Sequence, residues 1–255
     1  MRRRSSLGSR HKLLKERLVA WWEWDEASNQ WQDMRGGHQP TTIQAVTRVA
    51  GRANQYAAHF TEVDSSYIEV PDTADLSPVA DAFATGIIWR LWEARGDSNQ
   101  IALINKYVRT GDQREFNVHY IDYNWFNNTV PTYLQVSSNG SSLTAEVSLF
   151  SQLAPFNTDW RFSFGHSGQA NVNLRLNNGV LKTTAFAGPM FSGTSPVRFG
   201  RYEKVAAEGG GAWYGKHEID SVQLWIGYVP TEEEWAWLYN NGFGRRYMDL
   251  LLEGL

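Results

Sequence analysis

The stretch that decides the fold is Ile219-Asp220-Ser221-Val222-Gln223-Leu224-Trp225, with Pro230-Thr231-Glu232-Glu233-Glu234 and Leu238-Tyr239-Asn240-Asn241-Gly242 behind it. The first segment reads as a strand with alternating apolar residues, the second as a turn into a short helix, and the third as that helix's exit. Thr231 and Glu234 have the spacing of a capping box, in which each side chain accepts a backbone N–H of the other residue at the helix start. Glu232, Glu233 and Glu234 put negative charge in the first turn, where the helix dipole favours it. Trp235 and Leu238 supply the apolar face, and Gly242 suits the left-handed position past the last turn.

Working outward, the rest of the chain reads as many short strands. Leu18, Ala20, Trp22 and Trp24 alternate with Val19, Trp21 and Glu23, a period of two that puts the first four on one strand face. Tyr67-Ile68-Glu69-Val70 stops at Pro71. Further strand-like runs cover residues 83–92, 101–108, 115–122, 132–138, 143–149, 160–166, 171–177, 180–186, 196–202 and 218–226. Their spacing of about 8–15 residues, with Gly, Asn, Asp and Ser between them, argues for a sandwich or barrel rather than βαβ units. Asn178-Gly179 predicts a hairpin turn between Val172–Leu176 and Val180-Leu181, because both residues tolerate positive φ. Asn139-Gly140 predicts a similar turn between 132–138 and 143–149. Lys12 to Arg17 is the other candidate helix, too short to be stable alone. The expected organisation is a basic arm over residues 1–17 and one all-β domain over residues 18–255.

At 255 residues the chain can bury a substantial core. Cysteine is absent, so there is no disulfide framework and no thiolate metal site. The charged N-terminus has no apolar segment behind it, so it does not read as a secretory signal. No run approaches the roughly 18 apolar residues of a membrane-spanning helix, so membrane insertion is not expected. Residues 1–18 carry Arg2, Arg3, Arg4, Arg10, Lys12, Lys15 and Arg17 against Glu16, a net of +6; with −3 overall, the remainder carries −9. A basic arm on an acidic body has the pattern of an interaction tail, and equally of a solvated terminus. As a tail, its expected anchors are Arg2, Arg3, Arg4, Arg10 and Lys12, on the acidic surface of a partner protein. Nucleic acid is disfavoured, because the acidic body repels phosphates.

The closing stretch resembles the end of concanavalin A-like jelly rolls of the laminin-G-like group, and the likeness continues upstream. Trp22-Glu23-Trp24-Asp25 with Asp33-Met34-Arg35-Gly36-Gly37-His38 resembles the family's opening strand and its Asp- and Gly-rich loop. Ala58-His59-Phe60, Tyr67-Ile68-Glu69-Val70-Pro71, Phe83–Trp89, Ile104-Asn105-Lys106, Trp160, Asn178-Gly179 and Val197-Arg198-Phe199-Gly200 follow in the family's order. The resemblance covers roughly residues 18–244, with an enlarged region at 107–133. It implies a jelly-roll sandwich of two antiparallel sheets with one short C-terminal helix, and a concave face often used for glycans or protein partners. No cofactor is expected. A family calcium site cannot be assigned residue by residue; Asp25 and Asp33 are its candidates, although an Asp in a turn more often accepts backbone N–H groups.

The same fold includes β-glucanases, whose active strand carries Glu-x-Asp-x-Glu, putting the carboxylates on one strand face. Here Glu218 and Asp220 have that spacing, but the acid/base position holds Val222 or Gln223, which cannot donate the proton. His11, His38, His59, His119, His166 and His217 form no metal motif, and Gly165-His166-Ser167-Gly168 is not a nucleophile elbow. Gly209-Gly210-Gly211 lacks the Lys of a phosphate loop. No catalytic residue is assigned and the expectation is no enzyme. Trp22, Trp24, Trp89, Trp160 and Trp225 are expected in the core.

The candidate glycan- or partner-binding residues are Tyr107, His119, Tyr123, Trp125 and Phe126, gathered with Tyr120, Asp122, Asn124, Asn127 and Asn128. Aromatic faces beside amides suit a sugar, a protein partner or a buried loop alike. Open reading frames of this kind resemble bacteriophage virion surface components: capsid decoration or cement proteins, or fibre-associated modules. That resemblance implies a structural, non-catalytic protein made in the host cytoplasm and placed on the virion surface, with capsid or fibre proteins as partners. A carbohydrate-binding lectin is the alternative and a laminarinase-type hydrolase the second rival; a homo-oligomer stays open.

Overall fold

The computed structural model describes residues 11–78, 82–92, 100–109, 111–121, 129–152, 160–168, 170–204 and 210–253. After α1 (Lys12–Glu16) come β1 (Leu18–Asp25), β2 (Gln30–Asp33), β3 (Thr42–Gln44), β4 (Thr47–Ala50), β5 (Tyr56–Phe60) and β6 (Tyr67–Val70). The long central strands are β7 (Phe83–Leu91), β8 (Gln100–Val108), β9 (Gln113–Ile121), β10 (Thr129–Gly140), β11 (Ala145–Gln152) and β12 (Arg161–Ser167). Then follow β13 (Asn171–Leu176), β14 (Lys182–Ala185), β15 (Val197–Phe199), β16 (Arg201–Glu203), β17 (Ala212–Tyr214) and β18 (His217–Ile226). Two helices close the chain, α2 (Glu232–Tyr239) and α3 (Tyr247–Leu252).

The strands form an all-β sandwich of two antiparallel sheets. One runs β14-β13-β12-β7-β18-β1-β2, with β5 also on β18 and β4 on β5; the other runs β11-β10-β9-β8-β15-β6-β3. The period-two pattern fills the space between them: Trp22, Trp24, Ile87, Trp89, Val222 and Leu224 from the first sheet meet Phe116, Val118, Tyr120, Leu134 and Phe199 from the second. Tyr120 stacks on Trp89 at 5.3 Å, so it belongs to this core rather than to the aromatic surface group in which its sequence neighbours placed it.

The first sheet is apolar on its outer side as well. Leu14, Leu18, Trp21, Ile88, Phe162, Phe164, Trp225, Trp235, Leu238 and Leu250 form a second core beneath α1, α2 and α3. Leu18 lies there, not with Ala20, Trp22 and Trp24, because a register shift between Leu18 and Ala20 reverses the facing of the strand end. Trp225 is therefore a core residue of the second layer, and Trp160 is only half-buried, under the Arg90 guanidinium. The α2 start is as the sequence predicts: the Thr231 side chain accepts from Glu234 N and the Glu234 side chain from Thr231 N. The left-handed cap is Asn240 (φ 47°), ahead of Gly242.

One hairpin and one strand depart from expectation. Between β13 and β14 the left-handed residue is Asn177 (φ 52°), and the Gly179 N–H donates to Leu176 O, so Asn178-Gly179 is not itself the two-residue turn. The run 196–202 is not one strand. Gly200, at φ 79° and too close to the Phe60 ring for any Cβ, breaks it into β15 and β16. The break turns β16 out of the seven-stranded sheet to pair with β17 as a separate two-stranded ribbon.

Candidate functional site

Cross-strand register aligns one polar row over the outer side of the seven-stranded sheet. Glu146 on β11 stands opposite Gln135 on β10, Gln135 opposite Asn117 on β9, and Asn117 opposite Asn105 on β8. Asn105 is opposite Arg198 on β15, and Arg198 opposite Glu69 on β6. Period-two alternation puts these residues outward because their neighbours Phe116, Val118, Leu134, Val136, Val197 and Phe199 point into the core.

The row is joined by hydrogen bonds. Gln135 Nε2 donates to Glu146 Oε2 at 2.7 Å, and Asn117 Nδ2 donates to Gln135 Oε1 at 3.1 Å. The same Asn117 amide lies 2.9 Å from His119 Nδ1. At the far end Arg198 donates to Glu69 (2.8 Å) and Glu203 (2.6 Å). Two buried polar atoms in the row, Asn105 Oδ1 and Asn117 Oδ1, have no hydrogen-bond partner, and neither does Nε2 of the adjoining His119. Such atoms are costly unless a water or ligand group satisfies them.

Aromatic rings cross this row. His119 stacks on Tyr133 at 4.9 Å with 8° between planes. Tyr202, carried by β16, stacks on Tyr107 (6.2 Å) and Trp213 (5.7 Å) and approaches His119 at 5.8 Å. Arg109 lies 5.1 Å over the Tyr202 ring and donates to its hydroxyl at 2.7 Å; Lys204 lies 5.1 Å over Trp213. Burial holds the His119 imidazole neutral, with its pKa pushed down to about 3 and the Arg109 charge acting in the same direction. Burial also raises the Tyr107 hydroxyl. Beside Tyr107 a cavity of about 240 Å³ is lined by Arg109, Arg114, Ser141, Ser142 and Leu143. Tyr133, Glu146, Trp213 and Tyr214 are half-buried, and so form the part of this face that a ligand reaches.

Of the sequence candidates, Tyr107 and His119 are brought together on this face. Tyr123, Trp125 and Phe126 lie outside the described residues, as do Arg2, Arg3, Arg4 and Arg10. Lys12 is exposed on α1 and pairs with Glu16 at 3.7 Å, while Leu14 of the same helix is fully buried and its carbonyl accepts from Trp225 Nε1. The part of the arm that is described is thus docked on the sandwich. Sequence reasoning missed Asn105, Asn117, Tyr133, Gln135, Glu146, Tyr202 and Trp213. Alternation in 116–120 and 133–136 marks some of them as outward, but their alignment depends on register.

The Glu218 and Asp220 pair is not an open carboxylate site. Glu218 is 3% exposed and held by Arg90 and by His59 Nδ1 at 3.1 Å. Asp220 is fully buried at the register shift where β18 changes neighbour from β5 to β1, and it accepts the backbone N–H groups of Arg52, Ala53 and Asn54. Burial pushes its pKa up to about 7 against those donors. Asp33 is likewise an anchor. It accepts from the N–H groups of Trp21, Arg35, Gly37 and His38, all at 2.9–3.0 Å, which surrounds it with donors suited to an anion and not with the oxygen shell of a calcium ion. Asp25 accepts from Ala27 N at 2.8 Å.

No protein-family model matches the sequence, and no curated protein matches it. Solved structures match in fold. The binding domain of Paraclostridial mosquitocidal protein 1 aligns with a TM-score of 0.65 and 13% identity, over 90% of this chain and 53% of that one. A structure of botulinum neurotoxin type C, whose cell entry depends on interaction with two ganglioside molecules, aligns with a TM-score of 0.63 and 11% identity, over 88% and 51%. The binding domain of botulinum neurotoxin DC, in complex with rat synaptotagmin II, aligns with a TM-score of 0.64 and 10% identity, over 91% and 52%. The chain spans about half the length of these proteins, and at such identities the likeness is one of fold.

Proposed function

We propose that the chain is a non-catalytic binding module that takes a saccharide on the outer face of its seven-stranded sheet. The observation that carries this reading is the polar row from Glu146 to Arg198, crossed by Tyr133, His119, Tyr202 and Trp213, with the half-buried Glu146, Tyr133, Trp213 and Tyr214 as its accessible part. A sugar offers hydroxyl donors to the Glu146 carboxylate and apolar C–H faces to the half-buried rings of Tyr133, Trp213 and Tyr214. The buried, fully engaged Glu218 and Asp220 support the non-catalytic part of the reading. Structures of similar fold come from proteins whose ligands include gangliosides and synaptotagmin, which fits a scaffold used for docking. A glycan array tests it: specific binding lost in Tyr133→Ala is expected, and silence across the array with the folded protein overturns it.

The second reading is the virion placement, as a concanavalin A-like capsid decoration, cement or fibre-associated protein. It is favoured by the +6 charge of residues 1–18 against −9 for the remainder, which suits an anchor on an acidic shell. Co-sedimentation with virus particles, lost on removal of residues 1–10, tests it; a protein that stays in the supernatant defeats it.

A further inference from the structure

The turn from Asp33 to His38 and the end of α1 enclose a cavity of about 430 Å³, lined by Glu16, Arg17, Leu18, Val19, Arg35, Gly37, His38, Asp75 and Ile226. It shares no residue with the polar row. Both arginines hang from anchored backbone. Arg35 N donates to the buried Asp33 carboxylate, whose other N–H donors lock the turn, and Gly36 supplies the φ of 98° the turn requires. Arg17 N donates to Leu13 O at the end of α1, which is pinned by buried Leu14 and by the Trp225 indole.

The acidic groups in the lining already have cations. Glu16 pairs with Lys12 at 3.7 Å, and Asp75 with His38 Nε2 at 3.1 Å, while His38 Nδ1 lies 3.4 Å from Asp33. Among the described residues, no carboxylate pairs with the guanidinium of Arg17 or Arg35. Two forked donors on fixed backbone, facing one cavity, match a planar or tetrahedral oxyanion. The remaining wall includes the half-buried Val19 and Ile226, which offer apolar contact to whatever carries the anion.

We propose that this cavity is a binding site for a phosphate monoester, with Arg17 and Arg35 on the oxyanion and the organic group against Val19 and Ile226. Titration calorimetry of the full chain with inorganic phosphate, phenyl phosphate and benzoate tests it. Phenyl phosphate is expected to bind with a Kd on the order of 1 mM or below, more tightly than inorganic phosphate, with benzoate weaker than either. Arg35→Ala and Arg17→Ala are each expected to weaken phenyl phosphate roughly tenfold, a single charge-assisted pair's worth. Lys182→Ala, an exposed cation elsewhere, is expected to leave it unchanged. Both arginines are exposed, so the variants should keep the wild-type unfolding midpoint. Equal affinity for benzoate, equal loss in Lys182→Ala, or no saturable binding overturns the proposal.

Discussion

The two outer faces of the sandwich are made from the same kind of alternating strand and end differently. On the nine-stranded sheet the outward side chains include Trp21, Ile88, Phe162, Phe164 and Trp225, and three helices seal them. On the seven-stranded sheet they are Asn105, Asn117, His119, Tyr133, Gln135 and Glu146, crossed by the β16–β17 ribbon. Apolar surface favours burial at roughly 25 cal/mol per Å², so the first face must be covered for the chain to fold. A polar row that bonds within itself gains only about 1 kcal/mol per bond relative to water, so its cover contributes little. Stability is therefore concentrated on one side, and the chemistry of the proposed site on the other.

Removing the seal should produce the largest effect. Trp235 is 2% exposed and packs on Phe162 and Phe164 at 4.8 and 4.2 Å. Trp235→Ala is expected to lower the unfolding free energy by about 3–5 kcal/mol, the range for a buried aromatic truncated to Ala. Chemical denaturation measures it. A loss below about 1 kcal/mol would mean that the helices rest on the sheet without holding it.

The next effect is a pH dependence beneath the same helices. Burial pushes the Glu23 pKa up to about 7 from 4.5; the neighbouring Asp220 carboxylate acts in the same direction, against the Tyr247 N–H and the Arg246 charge. The neutral form is favoured in the folded state, so its contribution is fully present below about pH 4.5 and is lost as pH rises through about 7. Glu23→Gln keeps the shape and removes this titration. Relative to the variant, the wild type is expected to lose up to about 3 kcal/mol between those limits. Urea midpoints at about pH 5 and about pH 8 read the difference, and parallel profiles for the two proteins would refute it.

What the sequence exposes and what it hides follow the same division. Local chemistry is legible: the Thr231–Glu234 capping box, the period of two in residues 18–24, and the outward Asn117 and His119 all depend on near neighbours. Long-range register is not. That Glu146, Gln135, Asn117 and Asn105 form one row requires knowing which residue faces which across four strands, and a one-residue slip would scatter them. Irregularities hide for a related reason. The shift that sends Leu18 to the helical side and the shift that folds Asp220 onto residues 52–54 both interrupt the alternation from which side-chain facing is read. The break at Gly200 could have been found, since glycine inside a strand-like run marks a bend or a close approach. It marks where β16 leaves the seven-stranded sheet to form the ribbon with β17, which carries Tyr202 beside Tyr107 and His119.

The smallest expected change in stability sharpens the contrast most. Tyr133 is half-buried, stacked on His119 at 4.9 Å, and stands on the polar face where Trp235 stands on the sealed one. Tyr133→Ala removes one aromatic pair worth about 0.5–1.5 kcal/mol, and solvent fills the space, so the unfolding midpoint should move far less than in Trp235→Ala. If both variants destabilise equally, the outer face of the seven-stranded sheet is a third core and its polar row is structural. If Tyr133→Ala leaves stability nearly intact, packing does not account for a half-buried ring on the polar face, and contact with a ligand does.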